Sequence, residues 1–372
     1  MDLVGLAVGE RALAKASGLE GVVVADTRLS HVDGEHGELI IAGARAEELA
    51  LGEPGHFEAV VERLLELATG TPERQLRERL GQSRVSAFAR VEQLRPALSL
   101  PNAMDALLAA TAQGSAGADA LSVLGALPVY VAAGARLRAG QAPIAPDPAR
   151  SVAEDFLSML GLTATAARVR ALDAYLITVS DHGLNASTFA ARVVASTGSD
   201  VMPCIAAGLG ALKGPLHGGA PGPVLDMLDA TARMEPRAWI ENELAQNRRI
   251  MGMGHRIYRV RDPRAFVFER ALARLEAEEP SNSAISGRLC HARAVERTAE
   301  AILSERHPDR PLRANVEFYT ALLLEALGIP RELFTATFAL GRAAGWLAHI
   351  EEQRRTGRLI RPASRYVGRS PD

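Results

Sequence analysis

Residues 251–264 read MGMGHRIYRVRDPR, and they form the most distinctive stretch of this 372-residue chain. The glycines before His255 let the backbone approach a ligand closely, because they carry no Cβ. Arg264 can offer two parallel N–H donors to a carboxylate. Imidazole gives and takes protons near neutral pH, so His255 is a candidate for acid–base chemistry. The alternative interpretation is an exposed basic loop without a ligand.

Two further segments also place a histidine in a distinctive setting, although the chain has only nine histidines. Residues 180–188 read SDHGLNAST and contain His182, whereas residues 213–220 read KGPLHGGA and contain His217. Backbone amides in a glycine-rich turn can hold anions, and an imidazole there can hydrogen-bond an enolate oxygen. Taken singly, His182 could be a core or capping histidine, and His217 could cap a helix end. Together, the three segments predict one active site assembled from distant parts of the chain.

The bulk composition favours a globular enzyme over a nucleic-acid-binding protein. The length predicts two domains. The chain is 48% hydrophobic and 23% charged, which is ordinary for a soluble globular protein. The net charge of -2 provides no basic surplus for nucleic acid.

Cysteine usage and the apolar segments predict a cytoplasmic protein without a membrane anchor. Cys204 and Cys290 lack the spacing of zinc ligands or of a disulfide framework, so we expect free, buried thiols and no metal. The first residues lack the basic region of a signal peptide. The longest apolar stretch, residues 123–135, is interrupted by proline and glycine and is too short to span a bilayer.

Elements of regular structure are predicted to be mostly helical. Two β-favouring runs, residues 21–25 and 38–42, flank turn chemistry at residues 33–37. Afterwards, apolar residues recur at helical spacing, and the breaks fall at glycine and proline. Such helices are predicted at residues 57–67, 103–112, 152–160 and 316–327. The sequence therefore predicts an all-α protein with a small N-terminal β appendage.

One helical face near the C-terminus carries polar side chains among small residues. Arg342, Trp346 and His349 recur at positions i, i+4 and i+7, so they lie on the same side of a helix. Trp346 and His349 are interpreted as packing residues. Arg342 is interpreted as an anion ligand, because an arginine among small residues needs a negative partner.

These motifs, taken in order, resemble the citrate synthase family over nearly the whole chain. The likeness begins with GLEGVV at residues 18–23 and HVDGEHGEL at residues 31–39, and it includes the three histidine segments. It ends with GRAAGWLAH at residues 341–349 and LIRP at residues 359–362. The resemblance implies a two-domain helical fold. The large domain would comprise residues 1–214 and 322–372, and the small domain residues 215–321.

The resemblance also implies catalytic roles. His217 would stabilise the enol form of a thioester, His255 would polarise or protonate the carbonyl of oxaloacetate, and Glu317 would be the base. The ligands of oxaloacetate would be His182, Arg264, Arg342 and Arg361, the last contributed by the neighbouring subunit of a homodimer. Coenzyme A would contact Lys213, Gly252, Gly254, Arg256 and Arg259. No metal or redox cofactor enters this scheme, and the thioester is a co-substrate.

The thioester side of the implied site departs from the family pattern. The family's base is an aspartate, but residues 315–319 read NVEFY and supply Glu317. Its extra methylene shifts the carboxylate by about a bond length, and a misplacement of about 1 Å can cost on the order of a hundredfold in rate. Ala314 and the Pro221-Gly222 pair are further departures on this side. Val179, three residues before His182, is a departure elsewhere, where the family usually has a histidine.

Three functions remain open at this point. The first is condensation of acetyl-CoA with oxaloacetate to give citrate and coenzyme A. The second is 2-methylcitrate synthesis from propionyl-CoA, which differs by one methylene, worth only about 1–3 kcal/mol in a pocket. The third is a low-activity paralogue that binds oxaloacetate or coenzyme A.

Overall fold

A computed structural model describes residue 19 and residues 21–53, 55–114, 118–218, 221–255, 257–279, 283–309, 312–366 and 368–369. Its only sheet within these ranges is a small antiparallel one near the N-terminus. Strand β1 (Ser30–Asp33) pairs with β2 (Glu38–Ile41), and β2 pairs with β3 (Ala44–Arg45). The expected turn lies between β1 and β2, at residues 34–37.

The predicted strand at residues 21–25 is wrong. Val22 and Val23 are exposed and have no regular structure, and pairing begins at Ser30 instead. Strand propensity expresses how well a side chain fits a half-buried pleated surface. Without a neighbouring strand to pair with, the valine run does not form one.

Helices make up most of the remaining structure. They are α1 (Ala46–Leu51), α2 (Phe57–Thr69), α3 (Leu76–Phe88), α4 (Arg95–Leu98), α5 (Ala103–Ala112), α6 (Ala120–Arg138), α7 (Val152–Leu160), α8 (Ala166–Val179), α9 (Ala186–Ala195), α10 (Val201–Leu212), α11 (Pro221–Thr231), α12 (Pro236–Ala245), α13 (Pro263–Glu278), α14 (Ser283–Arg306), α15 (Val316–Ala326) and α16 (Phe334–Thr356). The four helices predicted from apolar spacing correspond to α2, α5, α7 and α15. The all-α prediction with a small β appendage is confirmed.

Helix α16 is the central element of the core. It packs against α2, α6, α8, α9 and α10, and most of its length is buried. Two glycines let it touch the end of α8 by direct backbone contact. A Cβ added at Gly345 would lie 2.3 Å from the carbonyl oxygen of Ser180, and one at Gly341 would lie 2.8 Å from that of Leu176. The Gly345 amide donates to the Ser180 oxygen at 3.0 Å, so α16 supports the segment that leads to His182.

Helix α6 is a core helix despite its composition. By length and composition it is the one helix in the described ranges that could cross a membrane, with a mean hydropathy of 1.5. The helix extends beyond residues 123–135, the longest apolar stretch of the sequence, at both ends. However, 72% of its apolar window is buried inside the protein. It packs against α3, α5, α7 and α16, which accounts for its apolar surface.

The helices after residue 220 form a second packed group. Helices α11, α12, α14 and α15 contact one another, and α13 packs against both α15 and the earlier helices α1 and α8. The domain division at residues 214 and 322 stays a prediction.

The expectation for the cysteines is half right, since Cys204 is buried but Cys290 is exposed on α14.

Candidate active site

A short stretch of backbone pairing joins the His255 segment to the start of α15. The Gly254 amide donates to the Arg313 carbonyl at 2.7 Å, and the Asn315 amide donates to the Gly252 carbonyl at 2.9 Å. Both glycines have φ of +79°, a conformation that other residues rarely adopt. The Asn315 side chain donates to the Gly254 carbonyl at 2.8 Å. This pairing places the backbone just before His255 beside the start of α15, the helix that carries Glu317.

The ring of His255 is held in one orientation by the backbone that follows it. Its Nδ1 atom accepts from the amides of Ile257 at 3.0 Å and Tyr258 at 3.1 Å. Burial, and then the Arg264 cation, lower the pKa of His255 to about 4. The ring is therefore neutral at pH 7 and carries its proton on Nε2, because Nδ1 is an acceptor.

Arg264 is positioned by the start of α13. Asp262 caps this helix and Pro263 occupies its first turn. Both carboxylate oxygens of Asp262 accept from the Arg264 guanidinium, at 3.0 and 2.8 Å, and the pair is buried. Arg264 Nη2 lies 3.2 Å from His255 Nε2. Both atoms are donors, so a ligand oxygen that reaches both would satisfy them together.

His182 lies beside this pair. It is buried, and its Nε2 atom is 3.0 Å from the hydroxyl of Tyr258. The ring centroids of His182 and His255 are 6.0 Å apart. Burial, with the Arg264 and Arg342 cations, lowers the pKa of His182 well below its usual value, so the ring is neutral.

Arg342 is a buried cation with an open donor. Its Nε atom donates to the Val179 carbonyl at 2.7 Å, and its guanidinium lies over the ring of Phe338. Its Nη2 atom is buried and has no hydrogen-bond partner among the described residues. Burial lowers the pKa of Arg342 to about 10, so it remains charged at pH 7. A buried, incompletely paired cation is stabilised by an anionic ligand.

His217 is supported by a hydroxyl from α9. Its Nε2 atom lies 2.8 Å from Ser187 Oγ, which also accepts from Trp346 Nε1 at 3.2 Å. Ser187 Oγ is also 2.8 Å from Asn185 Oδ1, so its single proton can point to either neighbour. Burial, then Arg342, lower the pKa of His217 to about 4, and the ring is neutral.

Glu317 lies in the first turn of α15, where the side chain of Asn315 accepts from its amide at 3.0 Å. Burial raises the pKa of Glu317 to about 7, although the Arg264 cation opposes this rise. A carboxyl group with this pKa exchanges its proton near neutral pH, as a general base requires.

The charge of Arg264 acts on the three histidines and on Glu317. The Arg264 charge lowers the pKa of His182, His217, His255 and Glu317. The arrangement combines two cations, three neutral imidazoles and one carboxyl group.

Several predicted residues lie elsewhere or outside the described ranges. Arg361 is exposed on the tail after α16, and Arg259 is exposed on the His255 segment. Lys213 pairs with Asp105. Arg256 lies outside the described residues. Within the described ranges, no three metal-ligating side chains cluster together.

The comparisons with known proteins agree with this geometry. The family model for the citrate synthase C-terminal domain matches residues 18–363. The chain belongs to the citrate synthase family. Citrate synthase 2 of Bacillus subtilis is 38% identical over 277 residues, which cover 74% of this chain and 72% of the relative. Citrate synthase of Synechocystis is 35% identical over 372 residues, covering 94% and 90%.

Solved structures give the same assignment. Citrate synthase from Thermotoga maritima has a TM-score of 0.77 at 32% identity, covering 95% of this chain and 96% of that one. The citrate synthase of Thermoplasma acidophilum, in ternary complex with carboxymethyl coenzyme A and oxaloacetate, has a TM-score of 0.82 at 27% identity, covering 96% and 97%. The protein is therefore a transferase of citrate synthase type, and the family prediction is confirmed.

Four supporting residues were not assigned roles from the sequence. They are Ser187, Tyr258, Asp262 and Asn315. Two carried a usable signal, because an aspartate before Pro-Arg and an asparagine before an apolar run are typical helix N-caps. Trp346 and His349 are buried as expected, and both also hydrogen-bond to groups beside the site, Ser187 and Asp181.

Proposed function

We propose that this citrate synthase condenses acetyl-CoA with oxaloacetate and releases citrate and coenzyme A. The acetyl group becomes an alkyl group in the product, since its methyl carbon forms the new bond. The observation that carries the proposal is the geometry of Arg264 and His255, whose donors Nη2 and Nε2 lie 3.2 Å apart beside the buried ring of His182 and suit one ligand oxygen. Glu317, a carboxyl group whose pKa is raised by burial to about 7, lies in the first turn of the helix that is paired with the His255 segment. The Thermoplasma relative, with its coenzyme A analogue and oxaloacetate, supports this choice of substrates.

Oxaloacetate would bind between the two buried arginines. Arg264 and the open donor of Arg342 each suit a carboxylate, and a bidentate arginine pair fixes the orientation of its ligand. His255 Nε2 would donate to the ketone oxygen and polarise the carbonyl carbon. Asp262 holds Arg264 in place before the ligand arrives, which reduces the ordering cost of binding.

The thioester would be activated from two sides. Glu317 would take a proton from the methyl carbon while His217 donates a hydrogen bond to the thioester oxygen. This role requires the His217 proton on Nδ1, so the Ser187 hydroxyl must donate to Nε2. The enolate carbon then attacks the ketone carbon, and His255 gives its Nε2 proton to the ketone oxygen. Hydrolysis of the resulting thioester releases coenzyme A.

The assembly and the coenzyme A contacts complete the proposal. In a homodimer, Arg361 would reach the oxaloacetate of the neighbouring subunit, which fits its exposure on the tail. Lys213, Arg256 and Arg259 would contact the coenzyme A phosphates, and Lys213 would exchange its Asp105 partner for the ligand. Gly252 and Gly254 would offer close backbone approach. We propose a cytoplasmic location, with no metal or redox cofactor in the reaction.

Release of free thiol from acetyl-CoA and from propionyl-CoA, each with oxaloacetate, tests the proposal. We expect kcat/KM for acetyl-CoA to exceed that for propionyl-CoA. The reverse order would assign the protein as a 2-methylcitrate synthase. Turnover of neither thioester, together with tight oxaloacetate binding by calorimetry, would favour the low-activity paralogue. A large gain in Glu317→Asp would then identify the base as the limiting group.

A further inference from the structure

Strand β1 and the turn that follows it contact the two histidine segments that would face oxaloacetate. At its first residue, Ser30 Oγ donates to Asp181 Oδ2 at 2.5 Å and accepts from the Gly183 amide at 2.9 Å. Asp181 and Gly183 are the two neighbours of His182 in the chain. A single hydroxyl therefore contacts the residues on both sides of this histidine, through the carboxylate of Asp181 and the backbone amide of Gly183.

The turn after β1 contacts the His255 segment in the same way. The Arg259 amide donates to the Gly34 carbonyl at 2.8 Å. A Cβ added at Gly34 would lie only 2.5 Å from the Ile257 carbonyl oxygen. Ile257 and Arg259 are the two neighbours of Tyr258, whose hydroxyl meets His182 and whose ring packs on His255.

The two contacts are separated by the length of one strand. Four residue steps of extended chain span about 13 Å, and a paired strand does not stretch. Pairing with β2 from Ser30↔Ile41 to Asp33↔Glu38 fixes this length. Gly34 has no left-handed φ, so its lack of a side chain is needed for the close approach and not for the turn.

We propose that the β1–β2 hairpin is a brace that sets the spacing between the His182 and His255 segments. Ser30 and Gly34 are therefore positioning residues that act through the histidines. This proposal rests on the proposed function in so far as both histidines bind oxaloacetate. A strand that merely completed the N-terminal fold would not link the mobility of one segment to the other.

Hydrogen exchange measured by mass spectrometry tests the brace without any substrate. Ser30→Ala removes the hydrogen bonds that the Ser30 hydroxyl makes with Asp181 and Gly183. We then expect about tenfold faster exchange in residues 257–260 as well as in residues 181–184. Ser30→Thr keeps the hydroxyl and should restore the wild-type exchange. Faster exchange confined to residues 181–184 would overturn the proposal, since the hairpin would then not connect the segments.

Steady-state kinetics test the consequence for the site. In Ser30→Ala and Gly34→Ala we expect the KM for oxaloacetate to rise about tenfold while that for acetyl-CoA changes less than about twofold. Gly210→Ala is the control, because its Cβ would meet nothing within 4 Å on an exposed face of α10. Equal effects on both KM values, or none, would count against the brace. A wild type that turns over neither thioester would refute the proposed function instead, and the exchange data would still decide the brace.

Discussion

Replacing Glu317 by glutamine should abolish activity and at the same time stabilise the protein. Folding raises the pKa of this carboxyl from 4.5 to about 7, mainly through burial. The protonated form of Glu317 is therefore favoured in the folded state. The free energy of unfolding falls as pH rises from 4.5 to about 7. Each pKa unit corresponds to about 1.4 kcal/mol, so the ionised group costs about 3 kcal/mol above pH 7. Glutamine has nearly the same shape and no charge, so it removes this cost.

The stability difference should depend on pH in a defined way. Relative to wild type, Glu317→Gln should raise the free energy of unfolding by about 3 kcal/mol at pH 8. At pH 5, where ionisation of Glu317 contributes little, the increase should be under about 1 kcal/mol. Denaturant unfolding followed by circular dichroism, at matched protein concentration, measures both values. Glu62→Gln, an exposed position on α2, is the control. A gain of equal size at both pH values would refute the reasoning, because it would reflect a contact and not the ionisation.

Three further predictions concern the reaction. The value of kcat/KM should rise about tenfold from pH 6 to pH 8, because Glu317 goes from about one tenth to about nine tenths ionised. A value of kcat/KM that does not change with pH would exclude Glu317 as the base. Ser187→Ala should lower kcat about tenfold with little change in either KM, because His217 loses the hydroxyl that sets its tautomer. A change confined to KM would contradict this role. Mixed refolding of inactive His255→Ala and Arg361→Ala should recover up to about a quarter of wild-type thiol release in the whole sample, because about half of the dimers are mixed and each of these has one intact site. No recovery would place Arg361 outside the neighbouring site.

The residues of the candidate site could be proposed from the sequence because each lies in a short motif. Histidine and arginine next to glycine, or at a helix start, carry local signals, and their order along the chain matched the family. The helices could be predicted for the same reason, since apolar spacing is a property of each helix alone. The boundary of α15 illustrates this, because Asn315 caps its start and Gly328 follows its end.

The contacts between segments could not be predicted from local signals. The pairing of residues 252–254 with residues 313–315 joins parts of the chain sixty residues apart, and nothing in either stretch specifies its partner. The same holds for the hydrogen bond between Tyr258 and His182. The wrong strand at residues 21–25 has the opposite cause, because its local propensity was strong and its partner was missing.

The contact between Gly345 and Ser180 limits how this protein can be engineered for heat resistance. Exchanging a helical glycine for alanine commonly adds about 0.5–1 kcal/mol of stability. At Gly345 the added methyl would meet the Ser180 oxygen at 2.3 Å and displace the segment that carries His182. The backbone of α16 therefore fixes the position of the segment that carries His182. Gly287, on an exposed face of α14 with nothing within 4 Å of an added Cβ, is the safer place for that exchange.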